Sequence, residues 1–184
     1  MLNSYLTSTI KQFEYYKSLG DKTMAQLSFD DLKKEFAQDS NSIAIIVKHL
    51  VGNMLSRWTN FLTEDGEKEW RHRDEEFIAN FDSKEALLTA WNQGWSCLFE
   101  AITPLNVSDL ENIIYIRHQG HSVTEAINRQ MMHYAYHVGQ IVFIGKLIKG
   151  EHWESLSIPK GQSKVYNKDK FQHDKKRKHF TDDL

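Results

Sequence analysis

Apolar residues recur along most of this chain at three- and four-residue steps, the period of one helix face. Leu2, Tyr5, Leu6, Thr9, Phe13 and Tyr16 predict an amphipathic helix over residues 2–19, stopped by Gly20. "SFDDLKKEF" opens on Ser28, which can cap, with Asp30 and Asp31 in the first turn, and predicts a short connecting helix at the surface. Asn41 or Ser42 caps a second long helix running to about Leu62, with Ile43, Ile46, Leu50, Met54 and Phe61 on its core face. Ser83 opens a third, whose stripe Leu87, Leu88, Trp91, Trp95, Leu98, Phe99 and Ile102 holds the helical period until Pro104. "SVTE", Ser122 to Glu125, is a capping box for a fourth long helix ending at Lys149 before Gly150.

Two stretches break the pattern. "TEDGEKEWRHRDEEF" is dense in charge and reads as an exposed connection onto which Trp70 and Phe77 dock back. "ENIIYIRHQGH", residues 111–121, joins a β-branched run to a glycine turn and predicts a short strand or hairpin. After Gly150 no core helix is expected. Residues 1–165 therefore form an all-α domain, a four-helix bundle with a short hairpin before its last long helix, and residues 166–184 a basic, flexible tail.

Composition narrows the class. At 184 residues and a formal net charge of −2, the chain supports one core and no global field for nucleic acid or an anionic membrane. A single cysteine, Cys97, excludes an internal disulfide and a cysteine-rich zinc site, in keeping with a reducing compartment. The start "MLNSYLTSTIKQFEYYK" lacks the pattern of a signal peptide and no apolar run approaches a membrane span, so the expected location is the cytoplasm.

The candidate chemistry lies in "MMHYAYHVGQ", where His133 and His137 stand four residues apart. Successive helical positions advance about 100°, so the two imidazoles differ by only about 40° and reach one point. Arg129, Gln130 and Gln140 share their face. His49, beside the core stripe of the second long helix in a polar band with Asn53, Ser56 and Asn60, can complete a trio if those helices are neighbours. Two readings stand at this point: metal ligands, or hydrogen-bonded core histidines. As ligands, three neutral imidazoles suit a divalent ion, zinc or nickel first, with iron or manganese as alternatives, and leave a coordination position open for water or substrate.

On the other side of the same helix Met131, Ala135, Val138, Gly139 and Val142 form an apolar face. It predicts a homodimer through the last long helix, unless residues 63–82 or the C-terminal segment cover it. His118 and His121 fit a loop role, and His72, His152, His173 and His179 surface positions. "HYAYH" places Tyr134 where a zinc peptidase needs glutamate, which disfavours peptide hydrolysis. Cys97 falls about 120° from the tryptophan stripe and is expected to point away from the bundle axis.

With His49 on the second long helix and "HYAYHVGQIVF" on the fourth, the chain resembles the DinB-like superfamily, which includes YfiT-like members. "VKHLVGNMLSRWTNFL", "EAINRQMMHYAYHVGQIVFIGKLIKG" and "WESLSIPKGQS" resemble one uncharacterised bacterial subfamily of it, over residues 1–165. The resemblance implies an up-down-down-up four-helix bundle, frequently dimeric, with a divalent metal on His49, His133 and His137. It also implies reactions of the kind relatives perform: thiol S-transfer with bacillithiol or mycothiol, or glutathione-dependent isomerisation.

The expected activity is thus a metal-dependent transferase that ionises a low-molecular-weight thiol for attack on an electrophilic substrate. Arg57 and Arg129 are candidates for binding carboxylates of the thiol, Asn53 and Gln140 for lining the pocket, and Trp91 and Trp95 for walling it. Each has a plainer role open to it, ion pairing for the arginines and core packing for the indoles. The alternatives are metal-assisted hydrolysis and a non-enzymatic metal or small-ligand binding protein. The basic tail carries acids and ends in "TDDL", so nucleic acid is not an expected partner.

Overall fold

The computed structural model describes residues 4–78 and 80–182. Within them the chain is mainly helical, with six α-helices and one two-stranded sheet, and no helix is long and apolar enough to cross a membrane. Leu2 and the end of "TDDL" lie outside the described residues.

The first helix, α1, spans Ser4–Ala25 and runs straight through Gly20. That glycine is a place of close approach rather than a stop: a Cβ there would lie 2.6 Å from Cζ2 of Trp91. The indole nitrogen of Trp91 donates to Asp21 at 2.7 Å, one residue on. After α1, the capping box of Ser28 and Asp31 starts the single turn α2, Phe29–Leu32, which is anchored by a fully buried Leu32 and so is not merely superficial.

The next helix, α3, spans Ile43–Trp58, with Ser42 capping the amide of Ile45. It stops four residues short of Leu62 because Thr59 is extended and Asn60 takes a left-handed φ of 49°. Phe61 is still buried, folded back by that turn, which is why its spacing mimicked a continuing helix. The connection that follows inverts the expected order of burial. Trp70 and Phe77 remain 53% and 40% exposed, whereas Lys68, Arg71 and Glu76 are buried. Burial of these charges is tolerated because each is paired, Lys68 with Glu64 at 2.6 Å and Arg71 with Glu76 at 2.7 Å. Glu76 sits in a 3-10 turn, Arg73–Phe77, packed on α3.

The fourth helix, α4, spans Lys84–Ile102 behind its cap Ser83. A hairpin then forms from β1, Ile113–Ile116, and β2, Gln119–Ser122, antiparallel with Ile116 opposite Gln119. Its two-residue turn puts Arg117 and His118 at φ 56° and 59°, and the Asp65 carboxylate accepts both their amides at 2.8 Å. The Ser122–Glu125 capping box starts α5, Val123–Lys149, which closes at Gly150 with φ 55°. Beyond it, α6 spans Ser163–Lys170 without a buried residue. The chain then returns to α1, where His179 meets Ser8 at 3.1 Å, Phe180 packs edge-on against Tyr15, and Lys11 pairs with Asp182.

The four long helices pack α1 on α5, α5 on α3, α3 on α4 and α4 on α1. Tyr5, near the start of α1, donates to Asn128 early in α5 at 2.7 Å, while Thr23 and Gly145 abut near the far ends of the same helices. One core of Phe13, Leu50, Met54, Trp91, Trp95, Tyr134 and their neighbours lies between them.

On α5 the expected division into two faces is rearranged. Ala126, Ile127, Gln130, Tyr134, Val138 and Ile141 face the chain's own core, so Val138 is fully buried and belongs to no partner face. Met131 and Val142 are half-buried against that core, and Gly139 is exposed with nothing near it. The apolar side chains left outside are Met132, Tyr136, Phe143 and Leu147. The discrepancy is angular: α5 packs on both α1 and α3, so its buried arc is broader than one stripe and takes in positions flanking the histidines on either side.

Candidate functional site

His49 comes from the middle of α3 and is 7% exposed, while His133 and His137 stand half-buried one turn apart on α5. The packing of α3 against α5 brings one ring nitrogen from each to within 4.8 Å of the others. Nε2 of His49 and Nε2 of His133 are 3.2 Å apart.

The outward nitrogens decide what the inward ones do. Nδ1 of His49 lies 2.9 Å from Oε2 of Glu76, and Nδ1 of His137 lies 2.8 Å from Oε1 of Gln140. A carboxylate and an amide oxygen only accept, so both Nδ1 atoms carry a proton, and in the neutral tautomer each Nε2 keeps a lone pair for a ligand. Glu76 is itself held by Arg71, which donates from Nε at 2.7 Å and from Nη2 at 3.0 Å. Burial alone would raise the Glu76 carboxyl, but bonds from His49 and Arg71 outweigh it and hold the group below its usual range. Gly52 makes the arrangement possible, because a Cβ at that position would fall on the Glu76 carboxyl group.

His133 is pushed down to about 3 by burial and then by the neighbouring His137 and His49. His137 is lowered as well, by burial first, with Gln140 opposing. Both rings are therefore neutral near pH 7, the form that binds metals. Three imidazoles whose inner nitrogens converge, two of them with the outer nitrogen already bonded, are a donor set that a divalent cation satisfies.

The trio lines a cavity of about 400 Å³ together with Asn53, Phe77 and Gln130, and with five arginines, Arg57, Arg71, Arg73, Arg117 and Arg129. The Phe77 ring stacks on His49 at 5.6 Å between centroids. Asn53 is buried and accepts at 3.0 Å from the Tyr134 hydroxyl, which in turn accepts from Trp58 at 3.0 Å. Arg57 is buried and bonds the Gly66 carbonyl and, at 3.1 Å, Glu67. Arg129 is exposed at the cavity wall, and Gln140 is engaged with His137.

The other sequence candidates lie elsewhere. Trp91 and Trp95 are fully buried in the core and do not line this cavity. Cys97 does not point away from the helices as expected: α4 packs on α3, which leaves the thiol half-buried near the Met54 carbonyl and Thr59. Burial pushes that thiol up, away from reactivity. His118 occupies the hairpin turn and His121 the adjoining strand, and His72, His152 and His173 are exposed. His179 is half-buried, against α1.

Sequence reasoning missed Glu76, Arg71, Arg73, Phe77 and Arg117, which come from the charged connection and the hairpin turn. Neither region has a period, so the one available signal was the density of charge itself, which resembles that of any solvated loop.

No curated protein matches this sequence. A family profile matches residues 1–162, and by that match the chain belongs to the family described as "Protein of unknown function (DUF1572)".

Proposed function

We propose that this chain is a divalent-metal-dependent enzyme, a transferase that activates a low-molecular-weight thiol of the bacillithiol type for attack on an electrophilic substrate. The observation that carries the metal assignment is the convergence of His49, His133 and His137 at one wall of an accessible cavity, with two outer nitrogens already fixed. Zinc or nickel suits three imidazoles best, with iron or manganese next. Such an ion, when bound, supplies Lewis acidity that brings a coordinated thiol or water near its neutral-pH ionisation.

The chain's own residues do the rest. Glu76 and Arg71 hold the His49 ring in one orientation, and Gln140 does the same for His137. Phe77 stacks on His49 at the cavity wall, and in this reading Asn53, Arg57 and Arg129, which line the cavity, and Gln140 beside His137 would orient what enters. Trp95 packs on Tyr134, whose ring meets His133, and Trp91 packs behind Trp95, so both would support the site only from within the core. The thiol part of the reading rests on the resemblance to thiol-using relatives and on the room beside the histidines.

The packing order of the long helices, with α1 running alongside α5 and both opposed to α3 and α4, supports an up-down-down-up four-helix bundle. A homodimer through α5 belongs to the same reading, now on Met132, Tyr136, Phe143 and Leu147, as does a reducing cytoplasmic setting with Cys97 free.

Elemental analysis of untagged protein tests the core of the proposal. Near-stoichiometric divalent metal is expected in the wild type and little in His49→Ala or His137→Ala; metal-free wild type rejects it. Incubating the metal-loaded protein with monochlorobimane and a panel of thiols tests the chemistry, and a protein that turns over none of them is not a thiol transferase.

A further inference from the structure

The cavity beside the histidines has a charge pattern that thiol chemistry alone does not account for. Among the described residues, five guanidinium groups line it and no carboxylate does. They come from α3, the connection after it, the hairpin turn and α5, so positive charge surrounds the space instead of marking one wall.

The nearby acids only partly offset it. Glu76 is committed to Arg71 and His49. A single carboxylate, Glu67, serves Arg57 at 3.1 Å, Arg117 at 3.0 Å and Arg71 at 3.9 Å. Arg129 pairs with no acid among the described residues, and Arg73 has only the Phe77 ring, at 5.9 Å. Arg57 is 7% exposed and its Nε has no hydrogen-bond partner, the mark of a buried cation whose surroundings are incomplete. Burial, and then the neighbouring Arg71, push its pKa down, as expected for positive charge crowded without enough counter-charge.

Such crowding costs folding free energy, and its natural complement is a ligand with several negative groups, because guanidinium forks match carboxylate and phosphate oxygens in pairs. A monoanion would leave most of the excess in place. A cavity of about 400 Å³ takes a small molecule and not a macromolecular surface.

We infer that the cavity binds a small molecule bearing at least two carboxylate or phosphate groups, held by the exposed Arg73, Arg117 and Arg129 at the mouth and by the buried Arg57 further in. The inference rests on the proposed function in taking this molecule to be the substrate or the thiol cosubstrate, but its binding does not depend on metal.

Calorimetric titration of the full chain with citrate and with pyrophosphate, and with glycerol as a neutral control, tests it. The titrations are made on the wild type and on His133→Ala, in which chelation by a bound ion is removed. Saturable one-to-one binding of at least one polyanion to both proteins is expected, with none of glycerol. Affinity should fall about tenfold or more in Arg73→Gln/Arg129→Gln and fall again as salt is raised. The double variant changes two exposed side chains, and an unaltered circular dichroism spectrum confirms its fold. Lys146→Gln, on the same helix but off the cavity, should bind as the wild type does. The stronger of citrate and pyrophosphate shows whether carboxylate or phosphate is preferred. Absence of binding to His133→Ala, or equal binding by the double arginine variant, overturns the inference. Metal content is read separately, so this outcome leaves the metal assignment standing, and a metal-free protein that still binds citrate leaves the inference standing.

Discussion

The space between the long helices has two halves that α5 helps to build in opposite ways. Toward α1 and α4, Tyr134 joins Phe13, Trp91 and Trp95 in a fully buried aromatic cluster with centroids 5.4 to 6.3 Å apart. Toward the connection and the hairpin, His133 and His137 join α3 to surround a cavity with charge. His133 and Tyr134 are consecutive, and a rotation of about 100° is enough to assign them to different halves. The aromatic half coheres through contact area, which tolerates no vacancy. The polar half coheres through pairs, in which loss of one member strands the other. Stability and chemistry are therefore separable in this molecule.

The largest effects should separate the halves cleanly. Trp95→Ala is expected to lose about 3–5 kcal/mol of stability in urea denaturation while keeping its metal. His133→Ala should lose metal affinity by well over ~100-fold in a chelator competition, with the stability of the metal-free chain changed by roughly 1 kcal/mol or less. If either variant alters both quantities strongly, the two halves are not independent.

Within the polar half, Glu76→Gln keeps the shape of the side chain but removes the carboxylate that orients His49. A fall of about 10–100-fold in metal affinity is expected by the same competition assay. Gly52→Ala should reproduce that loss, because its methyl group displaces Glu76. An unchanged affinity in Glu76→Gln would make the pair with Arg71 purely structural.

Glycines on the apolar side provide the next contrast. Gly20→Ala forces its methyl group against Trp91 and should cost about 1–3 kcal/mol. Gly139→Ala meets nothing and should be neutral or stabilise α5 by up to about 1 kcal/mol, as helix propensity dictates. Thermal denaturation of the two variants decides the point.

The smallest effect is on pH dependence. In the metal-free chain the folded His133 pKa of about 3 lies below its ordinary value of 6.5, so the unfolded chain takes up the proton first. Its stability contribution is complete above about pH 6.5 and is lost as pH falls toward the folded value. For a ring that is only partly buried, and with screening allowed for, the loss between pH 7 and pH 5 should be on the order of 1 kcal/mol. Urea denaturation of metal-free protein at the two pH values measures it, and His133→Asn should flatten the difference.

Periodicity made the long helices legible, and local signals did the same for the cap at Ser28, the capping box at Ser122 and the hairpin near residue 115. It misled at Gly20, where a glycine needed for contact with Trp91 looked like a helix stop, and at Phe61, where a turn preserved the spacing of a helix it had ended. At the site, His133 and His137 were legible because one helix carries both. His49 needed the assumption that two helices are neighbours. Glu76, Arg71 and Arg117 were not legible, since their place depends on how aperiodic segments fold back over α3.

By itself the sequence determined the elements: local hydrogen bonding, caps and apolar period act within a few residues and can be read there. It also placed His133 and His137 at one point, because helix geometry is rigid over a single turn. Only the tertiary structure decided which ring nitrogens face one another, which carboxylate orients His49, and that arginines from four segments enclose the same space. Those relations span up to 84 residues of chain between His49 and His133, and they depend on which helix faces pack and on where the excess charge is left once burial has been satisfied.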